Sequence, residues 1–407
     1  MTTANTPNIK ELVELNNKPS DFISNELAQS TPYLSGQFNV EGAAPALDAR
    51  QQNARDLLPT MAFPGNKDEP WRKTSIKDLP LEQLRISDSV RTHSGVSLQE
   101  QYLDRLVKPD TDKFTALAAG YARDGFVLVV PKNTILTEDL HAEIRVREDG
   151  TVQTSRVLIV VESGAEATLH LDFVGEDGAQ PALHSGIVEI FVEDNARLHL
   201  VETQHLGART WQFSHERASV GANASLDWVY FAFGGKLVKS FVDVELAGRG
   251  SEAQLNGLTI TNSGQHIDLD TQQDHLAPNT TSNLNFKAAL LGKSHSVWQG
   301  MIYVDPAATQ TDGYQTSRNL LLDDRAHADA IPGLEIKTDD VRCSHGATIS
   351  HVDEEQLFYL KTRGLDESEA RELIVNGFFE EIVGKVRDEA ARESLRAIIS
   401  QKLTTES

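Results

Sequence analysis

The spacing of apolar residues changes character twice along this chain. Up to about residue 106 it is helical and interrupted. Asp21 to Leu27 and Pro45 to Leu58 carry apolar side chains three or four apart, and Pro59 with the Pro64-Gly65 pair ends the second segment. Ser97 to Val107 and Thr111 to Ala122 predict two more short helices; in the second, Thr111 reads as an N-cap ahead of Phe114, Leu117 and Ala118. Residues 1 to about 19 are polar and predict a mobile terminus.

At Gly125 the pattern turns to strands. Phe126-Val-Leu-Val-Val-Pro131 is the first, and short β-rich runs punctuated by Gly, Asn and Asp continue to about Ser350 with no amphipathic helix between them. The stretch repeats. Ala167-Thr-Leu169, Ala196-Arg-Leu198, Ala224-Ser-Leu226 and Ala253-Gln-Leu255 share an Ala-x-Leu step, at spacings of 29, 28 and 29 residues, and Ser282-Asn-Leu284 continues the series. A fixed period of this size is a solenoid signature, too short for a four-stranded propeller blade. With strands and no helix it predicts one coil of a parallel β-helix, with the small residue where coils stack closely and the Leu in an internal ladder. Unrelated turn-plus-strand units that happen to look alike are the alternative.

After His351 the helical period returns. Asp353 to Lys361 predicts a short charged helix ended near Gly364. Asp366 with Glu369 forms an N-capping pair ahead of an apolar stripe at Ala370, Leu373, Ile374, Gly377, Phe378, Ile382 and Val386. Glu389 to Leu403 carries Leu395, Ile398, Ile399 and Leu403 on one side. These helices suit two compatible roles: a cap on the open end of the solenoid, which such folds require, and a docking surface for a partner.

Composition narrows the function. The chain of 407 residues holds 38 basic and 60 acidic residues, a net charge of −22, which repels phosphate backbones and anionic lipid and argues against nucleic acid as a partner. No apolar run reaches the roughly 18 residues of a membrane span, and the N-terminus lacks a basic segment followed by an apolar one. The single cysteine excludes an internal disulfide and fits a reducing compartment, so the expected location is the cytoplasm.

That cysteine sits in the most informative segment. Leu334 to Ile336 and the stretch around Val341 read as strands, and alternation puts Val341, Cys343 and His345 on one face. A thiol and an imidazole then lie side by side, both suitable metal donors. Two donors cannot complete a tetrahedral zinc site or hold an iron–sulfur cluster, which take about four. Any metal here needs ligands from elsewhere, most simply a second chain. The plain alternative is a small core thiol beside a surface imidazole.

Other constellations carry less. His266, Asp268 and Asp270 alternate onto one strand face with Asp274 and His275 close by; a polar outer ladder explains them better than a hard-metal site. Gly292-Lys-Ser294 invites a phosphate-loop reading, but that pattern needs a glycine where Lys287 stands. Trp71 beside Arg72 and Lys73 reads as an anchor for the N-terminal region.

Several blocks together resemble the SufB/SufD family of iron–sulfur cluster assembly scaffolds. They are Lys67-Asp-Glu-Pro-Trp-Arg-Lys-Thr74, Asn319-Leu-Leu-Leu322, the run from Pro332 through Leu334-Glu-Ile336, Asp339-Asp-Val341, Cys343 and His345-Gly-Ala-Thr348, and Glu354-Glu-Gln-Leu-Phe-Tyr-Leu360 ending at Arg363-Gly364. The likeness covers most of the chain from about Pro64. Within the family the single cysteine makes the chain most like SufD, since SufB-type chains carry additional cysteines.

The resemblance implies a mainly β fold: a right-handed parallel β-helix flanked by N-terminal and C-terminal α-helical domains, here residues 1–123, 124–350 and 351–407. It implies a non-catalytic scaffold that pairs with a SufB-like subunit through the β-helices and holds a SufC-like ABC ATPase on the C-terminal helices, where Phe358, Leu373, Ile374, Phe378 and Phe379 are the docking candidates. Cys343 and His345 would take the interface positions where a nascent cluster forms with a SufB cysteine. The isolated chain would hold no tightly bound cofactor, iron or an Fe–S cluster passing transiently through the complex, and alone it would be able to form a homodimer. Two rivals remain. One is an exported polysaccharide-acting enzyme on a β-helix, with Asp268 and Asp270 as its acids; the other is a scaffold whose Cys343 and His345 only pack.

Overall fold

The computed structural model describes residues 45–86, 99–122, 124–146, 149–262 and 264–404. The polar terminus and the helix expected over Asp21 to Leu27 lie outside these residues.

The β region is a solenoid of two facing parallel sheets. Sheet A contains β1 (Arg85–Ile86), β2 (Asp124–Val130), β4 (Thr151–Val161), β6 (Ala182–Val192), β8 (Thr210–Val220), β10 (Leu237–Leu246), β12 (His266–His275), β14 (His295–Val304) and β16 (His327–Ile336). Sheet B contains β3 (Leu140–Val146), β5 (Glu166–Gly175), β7 (Arg197–His205), β9 (Ser225–Ala232), β11 (Glu252–Thr261), β13 (Thr281–Leu290), β15 (Thr311–Leu321) and β17 (Val341–His351). Successive strands alternate between the sheets, so each coil lays one strand on each. The expected β-helix with flanking helices is therefore the observed architecture. One strand comes from outside it: β1 pairs with the start of β4, so the N-terminal region contributes to sheet A.

A recurrent turn sets the coil. Asn133, Gly164, Asn195, Asn223, Gly250, Asn279 and Gln310 each have φ between 53° and 73°, the left-handed region that Gly and Asn enter at least cost. The backbone N–H of each donates to a carbonyl of the following coil, as in Asn195 to Ala222 and Asn279 to Thr309. After six of the seven the next residue is small and buried: Ala165, Ala196, Ala224, Ser251, Thr280 and Thr311.

This corrects the alignment of the repeat. Ala196 and Ala224 belong to the turn rung, whereas Ala167 pairs with Leu198, and Ala253 with Leu226 and Ser282. A slip of two residues keeps every side chain on its face, so the Ala-x-Leu pattern survives the offset. Its leucines, Leu169, Leu198, Leu226, Leu255 and Leu284, all face the lumen and are buried, but on more than one rung.

The lumen is aliphatic near its start, with Val157, Ile159, Leu169, Leu171, Val188 and Ile190. Midway it becomes polar. Trp228 Nε1 donates to Glu202 at 3.2 Å, Ser214 Oγ to Glu216 at 2.8 Å, and Gln204 Nε2 to Gln212 Oε1 at 2.7 Å. Burial pushes both carboxyls up, Glu216 to about 7 and Glu202 well above the usual range, where the neighbouring Glu216 adds to the effect.

Helices cover the outer faces of the two sheets. α1 (Pro45–Leu57), α2 (Gln99–Tyr102) and α3 (Lys113–Tyr121) belong to the N-terminal region. The expected helix over Ser97 to Val107 shrinks, among the described residues, to the four of α2. Asp112, not Thr111, caps α3, accepting from the backbone of Phe114 and Thr115. Phe114 stacks on Phe213 at 3.8 Å between ring centroids, and Trp71 packs against Phe114, Phe213 and Phe241, which anchors the N-terminal layer to sheet A.

On the other side lie α4 (Glu354–Thr362), α5 (Glu367–Val383) and α6 (Glu389–Thr404). Asp353 caps α4, and the Asp366–Glu369 capping box starts α5. These helices do not close the end of the solenoid. They pack on the outer face of sheet B, where Val201, Val229, Phe231, Leu258, Ile260, Ala289 and Leu320 point outward into their core. The buried face of α5 is Ala370, Val375, Phe379, Ile382 and Val383; Leu373 and Gly377 of the expected stripe are exposed. The pairs Ile374-Val375 and Phe378-Phe379 make α5 apolar on more than one side, so its spacing alone leaves the helix rotation open.

Two outcomes follow. Truncating the fully buried Phe379 to Ala destabilises the helical layer by about 3–5 kcal/mol, read as loss of helical signal at lower urea concentration. Phe358→Ala, at a position 70% exposed, leaves that transition in place. The lumen carboxyls give the second. Their folded pKa values lie above the unfolded ones, so the fold holds protons that the unfolded chain releases. That stability is full below the ordinary carboxyl range and is lost as pH rises through about 7. The melting temperature falls as pH rises from the ordinary carboxyl range through about 7, and Glu216→Gln shallows the slope; an unchanged slope in that variant would contradict the assignment.

Candidate functional site

The register places the predicted pair at the end of the lumen. One inward rung runs Ala167, Leu198, Leu226, Ala253, Ser282, Gly313, Cys343; the next runs Leu169, Leu200, Trp228, Leu255, Leu284, Gln315, His345. Cys343 and His345 thus share the inner face of β17, as alternation requires. The preceding member of the His345 rung, Gln315, is wholly buried and donates to the carbonyls of Gly300 and Gly333 at 3.3 and 2.8 Å. One coil later His345 is exposed, because among the described residues no further coil lies over it.

Cys343 is half-buried and packs with Leu334 and Val341 against Ile302, Val304 and Ala308. Gly313 beneath it leaves room for the sulfur: a Cβ there would lie 3.2 Å from Cys343 Sγ. Partial burial pushes the thiol above its usual value, so it carries its proton at neutral pH and must release it to bind a metal.

The surrounding surface is an uncovered edge. Among the described residues no strand pairs with the far side of β16 or β17, which leaves a row of backbone donors and acceptors on each sheet. Nearby Tyr314, Ile336 and Ile349 are exposed apolar side chains. A partner that adds strands here would cover this edge and close the lumen over Cys343 and His345.

The five docking candidates separate. Phe358, Leu373 and the neighbouring Tyr359 are exposed. Leu373, Ile374 and Phe378 line a cleft with Tyr359 and Leu360 between α4 and α5. Phe378 is also tied to sheet B: its carbonyl accepts from Lys287 Nζ at 2.8 Å, and that ammonium lies over its ring. Phe379 offers no docking surface, since it is completely buried in the packing that holds α5 to the sheet.

The outer face of sheet A holds the polar ladder expected at His266, Asp268 and Asp270. Lys239 pairs with Asp268 at 3.0 Å in a fully buried contact, and Thr74 of the N-terminal layer hydrogen-bonds both Asp268 and His266. Of the acids proposed for a polysaccharide enzyme, Asp268 is thus paired and covered, and Asp270 lies 3.5 Å from the same ammonium. The same register brings His295 and His327 alongside His266, with Asp329 two residues after His327. Spacing alone did not single out these last three. The signal was present: His266, His295 and His327 follow at 29 and 32 residues, close to the coil period.

No helix among the described residues is long and apolar enough to cross a membrane. Residues 144–378, more than half of the chain, match the family model described as SUF system FeS cluster assembly, SufBD core domain. The chain is 32% identical over 395 residues to an iron–sulfur cluster assembly SufBD family protein of Mycobacterium tuberculosis, covering 90% of this chain and 97% of the relative. A protein of the same description from Mycobacterium leprae is 32% identical over 385 residues, with the same coverage. One from Staphylococcus saprophyticus is 30% identical over 301 residues, covering 74% of this chain and 65% of the relative. With a two-sheet solenoid core, a Cys–His pair at its uncovered end and these relatives, the chain belongs to the SufBD family and has a role in iron–sulfur cluster assembly.

Proposed function

We propose that this chain is a SufD-like, non-catalytic scaffold of a cytoplasmic cluster-assembly complex. It pairs through its last coil with a SufB-like subunit and carries a SufC-like ATPase on its C-terminal helices. The observation that carries this reading is the position of Cys343 and His345: two metal donors on inner rungs of the last coil, whose far edge no strand covers among the described residues. The single cysteine favours the SufD-like assignment.

Iron and sulfide are the cargo. His345 offers an exposed imidazole and Cys343 a thiol that ionises on metal binding. Two donors leave a cluster half-held, so the remaining ligands come from sulfide and the partner. This keeps cluster formation dependent on assembly and leaves the isolated chain without a tightly bound cofactor. The exposed apolar side chains Phe358, Tyr359 and Leu373 support ATPase docking. α5 is joined to β13 by Lys287–Glu381 at 2.6 Å and by Asn285 Nδ2 to Glu381 at 3.0 Å. A pull on the helices is therefore passed to sheet B, and an ATP-driven change acts by favouring one arrangement of the paired coils over another.

Co-expression with SufB-like and SufC-like companions yields one assembly by native mass spectrometry. Recovery of this chain alone or only as a homodimer would sink the scaffold reading. Within the complex, His345→Ala slows cluster formation under anaerobic iron and sulfide supply while subunit composition stays the same. An unchanged rate leaves His345 as interface packing and removes its ligand role.

A further inference from the structure

We propose that His295, His327 and Asp329 form a binding site for a divalent first-row transition-metal ion on the outer face of sheet A, separate from the Cys343–His345 pair. It arises directly from the register. His295 on β14 and His327 on β16 are paired neighbours, and Asp329 is two residues along β16 on the same outward face. Strands about 4.8 Å apart stack side chains at that spacing, and the two imidazole centroids lie 5.0 Å apart.

The donor atoms converge. Asp329 Oδ2 lies 2.9 Å from His295 Nε2 and 3.5 Å from His327 Nε2, and all three ligand atoms fall within 4.8 Å of one another. Ligands around a tetrahedral ion with bonds of about 2.0–2.1 Å stand about 3.3 Å apart. The Asp329–His295 pair is somewhat closer than that and the Asp329–His327 pair somewhat wider, so side-chain rotations of these residues reach it without moving the sheet.

Two imidazoles and one carboxylate form the set that holds Fe(II) or Zn(II) with coordination positions left open. The carboxylate divides its oxygens: Oδ1 accepts from Lys73 Nζ at 2.8 Å, which orients Asp329 and leaves Oδ2 to the imidazoles. His266 packs edge-on against His295 from the other side, 4.7 Å between centroids, fixing the ring plane. Such outer contacts hold ligands in place in known metal sites. His327 is largely open to solvent, so an ion has a way in. Lys73 belongs to the segment that packs on sheet A, so the N-terminal layer helps to shape the site.

The test is anaerobic titration of the full-length chain with Co(II), followed by visible absorption. The expected result is one ion per chain with the d–d bands of nitrogen and oxygen ligation and no thiolate-to-cobalt charge-transfer band. His327→Ala and His295→Gln each weaken binding at least about tenfold, with melting temperatures confirming that both variants fold. Three results would overturn the proposal: no bound Co(II), unchanged affinity in either variant, or a thiolate charge-transfer band, which would place the ion at Cys343. Each leaves the scaffold reading untouched, because that reading is measured by assembly and by His345→Ala.

Discussion

The fold depends on a corner that the backbone turns once per coil. At Asn133, Gly164, Asn195, Asn223, Gly250, Asn279 and Gln310 the chain enters the left-handed region, and the N–H exposed there bonds to the next coil. A β-branched or bulky residue would make each corner expensive. The small residue that follows lets successive corners stack without a gap. Because every corner is bonded to its neighbour, the register of one coil sets that of the next, and side chains far apart in sequence fall into rungs.

That stacking gives the molecule three surfaces with different uses. The lumen is closed to solvent along its length, and burial there pushes Glu202 and Glu216 towards their protonated forms. The outer faces are taken by the two helical layers, through Trp71 and Phe114 on sheet A and through Phe379 and its neighbours on sheet B. The last coil is the exception. Among the described residues its inward positions have no successor to cover them, so Cys343 is only half-buried and His345 is exposed, where earlier rungs are core. The exposure of this pair follows from where the described coils end.

Much of this was legible in the chain. The Asn and Gly clusters at a period near 29 announced the coils, the Asp366–Glu369 pair announced the start of α5, and alternation put Cys343 and His345 on one face. The errors have physical causes. Slipping the repeat by two residues preserves the inside–outside pattern, so hydrophobicity could not tell Ala167 from Ala165 as the turn residue. A helix apolar on adjacent sides gives no single stripe, so the spacing places exposed Leu373 in the stripe and leaves buried Phe379 out of it. Thr111 and Asp112 are both good caps, and only the hydrogen bonds show that Asp112 serves.

The sequence by itself determined the strands, the coil period, the excess of acid and the membership of the single cysteine in a family motif, because each depends on residues close together or on composition. Only the tertiary structure decided which residues share a rung, that the C-terminal helices cover a face and leave the end open, and that Lys73, His295, His327 and Asp329 meet. Those contacts join residues tens to hundreds of positions apart. They are set by the accumulated register of the coils and the packing of helices on them, neither of which is encoded in any local stretch of the chain.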